Sequence, residues 1–400
     1  MKELSLSDLR LEFVRRVLDQ HASITDACES FGISRVTGYK ILSRFESEGV
    51  AGLADRSRAP IHCPHSVDAI LIDQILAAKG LPMCRYWGPK KVRAHLQITR
   101  PDIGWPASST FAAIFKRHGH VTQRRLRGAT PNAGKPLTQA SRPNHVWCID
   151  YKGDFQLLDG YNCYPLTVTD DETRYLIRCQ SMSDTSGALA WPCFVGAFRE
   201  LGLPEKIRSD NGAPFAAVCL TGLTPLSLKF MKLGIGHERM RPSTPTQNAR
   251  HERMHKTLKA ETTQPPSAYA GAQQDRFNIW RDEYNNHRPH EGIGMKRPGD
   301  LYTSSPRPYP EFLPALKCED GMHAIKVRPN GSIRWRGVEL YVGQVLAGEH
   351  VTLDHFDEGY HALYVGNQPM AVVDERTKAF LKPKVAKQYL RTLRGIEDKG

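Results

Sequence analysis

The apolar positions of the chain change period twice, and the changes divide it. Over residues 8–47 they recur at helical spacing, with Leu9, Phe13, Val14, Val17 and Leu18 forming the first stripe. A short second helix is predicted over 25–31. Gly32 then makes a turn, and Ser34 caps a third helix over 35–45. In that helix Val36, Tyr39, Ile41, Leu42 and Phe45 are expected mostly inward, leaving Arg35, Thr37, Lys40 and Arg44 outward. Residues 52–64 read as a polar linker. Helical spacing returns over 67–78, over 89–97 with Pro89 in an allowed first-turn position, and over 108–118 behind a serine cap. Residues 119–144 show no period at all.

From His145 the period shortens to that of strands. Strands are predicted over 144–150, 162–170 and 175–181, then a helix over 184–201 kinked by Pro192, then a strand over 205–209. Two strands run out into carboxylates, Asp150 and Asp210. Residues 216–228 look like an inserted loop. Asp170 and Asp171 are rival carboxylates, explained more simply as a turn between strands. From residue 248 or 249 the composition turns to helix formers, and Gln264-Pro265-Pro266 stops that helix. Glu252, His255, Lys256 and Lys259 are expected on one of its faces, with His251 about 100° round the axis and dispensable. Prolines 306, 308, 310 and 314 mark a further linker. Residues 322–374 then alternate as a small β-sheet, whose Lys326, Arg328, Arg334 and Arg336 fit DNA or an ordinary solvated face equally well. The tail, 376–400, is basic with helical character.

Charge narrows the partners. The 400 residues, enough for two to four domains, carry a formal net charge of +13. Residues 1–142 hold 22 Lys and Arg against 12 Asp and Glu, so this third alone carries +10. A basic excess placed this way points to nucleic acid. The nine cysteines include no C-x-x-C pair, which argues against a zinc ribbon and suits a reducing compartment. The first residues show no apolar signal segment and no run is long enough to span a membrane. A cytoplasmic, nucleoid-associated protein is expected.

Two chemistries fit the helix around Glu252. His251-Glu252-Arg253-Met254-His255 matches H-E-x-x-H, which on a helix offers two imidazoles for zinc and a general base for a metallopeptidase. Glu283 is the tempting third ligand. In the other reading Glu252 is one carboxylate of a magnesium site. A basic multidomain chain without a secretion signal weighs against the peptidase.

The remaining motifs carry a resemblance. Trp147-Cys148-Ile149-Asp150, then Ser209-Asp210-Asn211-Gly212-Ala213-Pro214-Phe215, then Arg241-Pro-Ser-Thr-Pro-Thr-Gln-Asn leading to Glu252 and Lys259, resemble the catalytic core of the DDE transposase and retroviral-integrase superfamily. Tyr284-Asn285-Asn286-His287-Arg288-Pro289-His290 closes the core as in insertion-sequence transposases. Three domain types are implied: two N-terminal helix-turn-helix units (1–58 and 64–118), a ribonuclease-H-like α/β core (143–304) and a small C-terminal β-barrel (318–375). A basic linker (119–142) and tail (376–400) complete the chain. The resemblance assigns catalysis and metal binding to Asp150, Asp210 and Glu252, with Mg²⁺ as cofactor and Mn²⁺ able to replace it. It implies a transposase that binds terminal repeats of a mobile element, cleaves at its ends and joins the 3′-OH ends to target DNA, as a homo-oligomer on paired ends. DNA contacts are expected from Arg35, Thr37, Lys40, Arg44, Lys90, Lys91, Arg124, Arg125, Arg127, Arg241, His255, Lys256 and Lys259. The alternatives are the zinc metallopeptidase and a DNA-binding regulator with an inactive core. The 59 residues between the aspartates and the 41 between Asp210 and Glu252 leave the second gap slightly long, an excess placed in 216–228.

Overall fold

Serine caps start the first three helices. Ser5, Ser23 and Ser34 each accept the backbone N–H three residues on, which satisfies a donor the helix cannot. The computed structural model describes residues 5–56, 66–121, 137–217, 219–240, 249–316 and 323–393. The chain forms two compact units, residues 1–68 and 69–400.

In the first unit α1 (Leu6–Leu18), α2 (Ile24–Ser30) and α3 (Arg35–Glu48) enclose Phe13, Val14, Ala27, Cys28, Ile41 and Leu42. Gly38 lets α3 approach closely, since a Cβ there would meet Cys28 Sγ at 2.5 Å. Two expectations change. Val36 and Tyr39 are 78% and 59% exposed, because the covered stripe of α3 runs through Gly38, Ile41 and Leu42 instead. The polar linker begins later than residue 52. Gly49–Leu53 folds into a 3₁₀ turn that buries Leu53 in this core, and Arg10 donates to the Leu53 carbonyl at 2.7 Å.

The second unit opens with α4 (Ala69–Gly80), α5 (Pro89–Thr99) and α6 (Ser108–Arg117) around Trp87, Trp105 and Phe111. The N-cap of α6 is Ala107 with no side-chain bond, so the expected serine cap is absent.

A six-stranded sheet follows: β1 (Val146–Tyr151), β2 (Phe155–Gln156), β3 (Asn162–Asp170), β4 (Leu176–Met182), β5 (Lys206–Ser209) and β6 (Gly236–Arg239). β3 pairs antiparallel with β1, β2 and β4, while β1, β5 and β6 run parallel. Three antiparallel strands followed by two parallel ones make the ribonuclease-H-like sheet. Helix α7 (Gly187–Leu201) continues through Pro192 as one helix, with α8 (Pro225–Lys232) after it. Both cover one face with Phe194, Phe198 and Phe230 against Trp147, Ile149, Leu166 and Val168. Helices α9 (Ala249–Thr262) and α10 (Ala270–Asp282) cover the other with Met254, Leu258, Phe277 and Trp280. The short α11 (Pro298–Leu301) ends this region.

The expected loop over 216–228 is partly helix. Thr224 caps α8 reciprocally with Ser227 and Pro225 sits in its first turn, signals of a helix start rather than a loop.

The C-terminal strands are β7 (Ala324–Lys326), β8 (Ser332–Trp335), β9 (Val338–Tyr341), β10 (His350–Asp357), β11 (Tyr360–Val365), β12 (Gln368–Asp374) and β13 (Ala379–Phe380). Five form an antiparallel sheet in the order β13-β12-β11-β10-β7, and β8-β9 is a separate hairpin. This is a curled half-barrel rather than a ring closed by backbone pairing. Helix α12 (Pro383–Leu393) follows.

Candidate active site

Strand parity sets the site. On β1, Trp147 and Ile149 enter the core under α7, so Val146, Cys148 and Asp150 point toward α9. On β5, Ile207 enters the α7 core, so Arg208 faces the α9 side, and Asp210 follows directly after the strand. The parallel register pairs Val146 with Lys206, Trp147 with Ile207 and Cys148 with Arg208. Asp210 lies two residues beyond that register on its strand's path, as Asp150 does on β1. Asp210 accepts from the Gly212 N–H at 3.1 Å. Both aspartates are half-buried.

Helix α9 carries Glu252, the third candidate carboxylate. Its buried stripe is His251, Met254, His255 and Leu258, and its exposed residues include Glu252, Lys256 and Lys259. Thr167, which lies opposite Asp150 in the β1–β3 register, anchors the helix. Its Oγ1 is 2.7 Å from both His251 Nε2 and His255 Nε2. His251 Nδ1 is 3.0 Å from Thr169 Oγ1. Burial pushes His251 down to about 3 and His255 to about 2, the latter helped by His251, so both rings are neutral.

This corrects the expectation that His255 shares a face with Glu252 and touches DNA. The i, i+3, i+4, i+7 stripe against the sheet begins at His251, and it takes His255 inside. The histidines are also poor peptidase ligands, because His251 has both nitrogens engaged by threonine hydroxyls. Among the described residues, the one group of three metal-ligating side chains within 4.8 Å is Asp150, His251 and His255. The three carboxylates do not form such a group.

Asp170 and Asp171 are structural. Asp170 accepts from the Asn144 and Thr173 N–H groups and the Thr173 hydroxyl. Asp171 pairs with Arg174, Arg208 and Arg250. Arg208, itself buried, also holds Glu238. The long-range part of this network, Asp171 with Arg208 and Arg250 and Arg208 with Glu238, went unread in the sequence, where no spacing signals it.

The expected DNA contacts divide. Arg35, Thr37 and Lys40 lie on the exposed side of α3. Arg44 turns back to donate to the Ala54 carbonyl at 2.7 Å. Lys90 pairs with Glu291 at 2.5 Å. Lys91 is half-buried, and burial reinforced by Arg288 pulls it down to about 7. Those two lysines therefore belong to a junction between α5 and the 288–291 segment, where Arg288 also lies over the Trp87 ring. Arg124, Arg125, Arg127 and Arg241 lie outside the described residues.

Comparison with known proteins decides the family. The chain is 30% identical over 273 residues to the insertion element IS476 uncharacterized 39.2 kDa protein of Xanthomonas euvesicatoria, spanning 67% of this chain and 75% of that one. The chain belongs to the insertion-sequence DDE transposases with a retroviral-integrase-like core. Residues 140–245 and 233–298 of this transposase match integrase core domain families, and residues 9–61 match a helix-turn-helix domain family. The insertion element IS407 uncharacterized 31.7 kDa protein of Burkholderia multivorans is 28% identical over 45% of the transposase and 63% of its own length. Among solved structures, the HTLV-2 integrase catalytic core in complex with magnesium covers 41% of the transposase and 99% of its own chain, at 15% identity and a TM-score of 0.32. The integrase in a simian T-cell lymphotropic virus intasome with the PP2A subunit B56 gamma covers 71% and 92%, at 16% and 0.36. The enzyme is thus a DNA transposase, a polynucleotidyl transferase. No described helix is long and apolar enough to cross a membrane.

Proposed function

We propose that this transposase binds the terminal repeats of its element, cleaves at the element ends and joins the freed 3′-OH to target DNA at a site made by Asp150, Asp210 and Glu252. What supports the reading is that β1, which carries Asp150, pairs in parallel with β5, which leads directly into Asp210, on the sheet that α9 with Glu252 covers. The donor set fits Mg²⁺ or Mn²⁺, since hard cations take carboxylate oxygens. Two such ions, when bound, would neutralise charge on the attacking and leaving oxygens. The chain itself orients the DNA. Lys256 and Lys259 extend from the exposed side of α9 beside Glu252 and would hold a phosphate. In the first reaction a water oxygen bonds to phosphorus and the 3′ oxygen of the element strand leaves as a hydroxyl. In the second that hydroxyl attacks a target phosphorus and a target 3′ oxygen leaves. No protein nucleophile is needed.

Binding the ends falls to residues 1–58, with α4–α6 as a second DNA-binding unit; the expected basic linker at 119–142 lies largely outside the described residues, and its charge would attract phosphates. The C-terminal strands read as a small β-barrel closed by side chains, since Ile333, Trp335 and Leu340 of the hairpin share the core of the sheet. Joining two ends in one event calls for at least two cores, so a homo-oligomer on paired ends is proposed. The test is nicking and strand transfer on a labelled terminal-repeat duplex with Mg²⁺ or Mn²⁺. Asp150→Asn and Asp210→Asn should lose both reactions and keep end binding. An active Asp150→Asn protein with stoichiometric zinc would overturn the assignment.

A further inference from the structure

Asp171 touches each of the three elements that lead to a candidate carboxylate. Its backbone N–H donates to the Val146 carbonyl at 2.9 Å, at the start of β1, the strand that holds Asp150. Its Oδ2 accepts from Arg208 at 3.2 Å, two residues before Asp210. Its Oδ1 accepts from Arg250 at 3.3 Å, in the first turn of α9 and two residues before Glu252. Arg174 shares that oxygen at 3.2 Å. The side chain is 7% exposed. Three guanidinium groups divide its two oxygens, which makes it a poor seat for a cation and a good joint between arginines.

The joint matters because strands and helices are held differently. β1 and β5 lie side by side through their own ladder. A helix has no ladder to the sheet beneath it and depends on side chains for its place. His251 and His255 hold the covered stripe of α9 on Thr167 and Thr169. A helix held along one stripe can still tilt at its end, and Arg250 ties down that end. Glu252 stands in the same turn. We propose that Asp171 is a positioning residue for the transposition chemistry: by bridging Arg208 and Arg250 it sets the distance between Asp210 and Glu252. The inference rests on the reading of those two residues as catalytic carboxylates and adds the residue that spaces them. It acts through the arginines rather than on DNA, and a misplacement of about 1 Å at a reacting centre can cost on the order of 100-fold in rate.

The test is single-turnover nicking of a labelled terminal-repeat duplex with Mg²⁺ by the full-length protein, read as a rate constant and a half-saturating DNA concentration. Arg250→Ala removes a side chain that is 58% exposed, so the thermal midpoint should hold. Its rate constant should fall about tenfold or more, with half-saturation within about twofold of wild type. Arg250→Lys, whose ammonium still reaches toward Asp171, should recover part of the rate. Asp171→Asn should lose at least as much as Arg250→Ala, and the double variant should be no slower than Asp171→Asn alone. If Asp171→Asn does not fold, the two Arg250 variants decide. A wild-type rate for Arg250→Ala overturns the proposal. So do losses that multiply in the double variant, or a loss confined to half-saturation, since Arg250 would then act on DNA by itself. Each of these leaves the carboxylate reading standing. Full nicking by Glu252→Gln would overturn that reading, and the proposal with it.

Discussion

His251 uses both ring nitrogens on β3, one on Thr167 and one on Thr169, at 3% exposure. Removing the ring takes the histidine partner from the buried Thr169 hydroxyl, strips one contact from Thr167 and opens a cavity. His251→Ala should therefore cost about 2–4 kcal/mol, read as a lower urea midpoint. Lys256→Ala, on the exposed side of the same helix, should leave the midpoint nearly unchanged. Equal midpoints for the two variants would refute the anchoring role, and with it the reversal of His251 from dispensable to structural. Histidines also set the acid limit. Burial pushes His290 down to about 3, with Lys91 and Arg288 adding to it, and His237 to about 4, with Arg239 adding to it. The folded forms stay neutral while the unfolded forms take up protons near pH 6.5. Their contribution is whole above that pH and is lost as pH falls toward 4, at up to about 1.4 kcal/mol per unit for each ring. Unfolding midpoints at pH 7.5 and 5 should show the loss, and His290→Asn should reduce it.

Helix α8 links two parts of the molecule. Its Leu226 and Phe230 enter the core beneath α7. Its Leu228, with Leu223 just before it, enters the core of the C-terminal sheet. Lys232 closes the junction on Glu349 at 2.5 Å. The stretch that reads as an inserted loop is thus what docks the C-terminal strands on the catalytic sheet. Leu223→Ala with Leu228→Ala should loosen that sheet selectively. Hydrogen exchange should quicken in 350–374 and stay slow in 146–151 and 206–209. A uniform change across both regions would count against a docking role. Helix α3 offers a similar contrast: Val36 and Tyr39 lie exposed beside Arg35 and Lys40, apolar surface that a DNA groove with thymine methyls would accept.

For the whole molecule, charge governs association. A net +13, with +10 in the first 142 residues, makes affinity for duplex DNA fall steeply with salt. Arg35→Ala, on the exposed side of α3, should relax preference for the element ends over random duplex. Arg124→Ala should weaken every sequence alike and lower the log–log salt slope by about one. Competition binding across a salt series separates the two. A chain that shows no preference for the ends would move specificity elsewhere.

The sequence by itself determined many of the elements and where two of the carboxylates fall. Short strand-like runs over 144–150 and 205–209, each ending on a carboxylate, place Asp150 in β1 and Asp210 just past β5, because a strand and its end are local properties. Composition from 249 onward likewise gave α9. Which stripe of a helix is covered was decided only by the tertiary structure. A period of 3.6 says that His251, Met254, His255 and Leu258 share a side of α9, and it says equally that Glu252, Lys256 and Lys259 share another. The hydroxyls of Thr167 and Thr169, 82 to 88 residues away in sequence, draw the histidines in and leave Glu252 and the lysines outside. The same holds for Val36 and Tyr39, uncovered because the close approach at Gly38 turns α3. It holds for Asp171, whose partners Arg208 and Arg250 come from separate segments that only the folded sheet brings together.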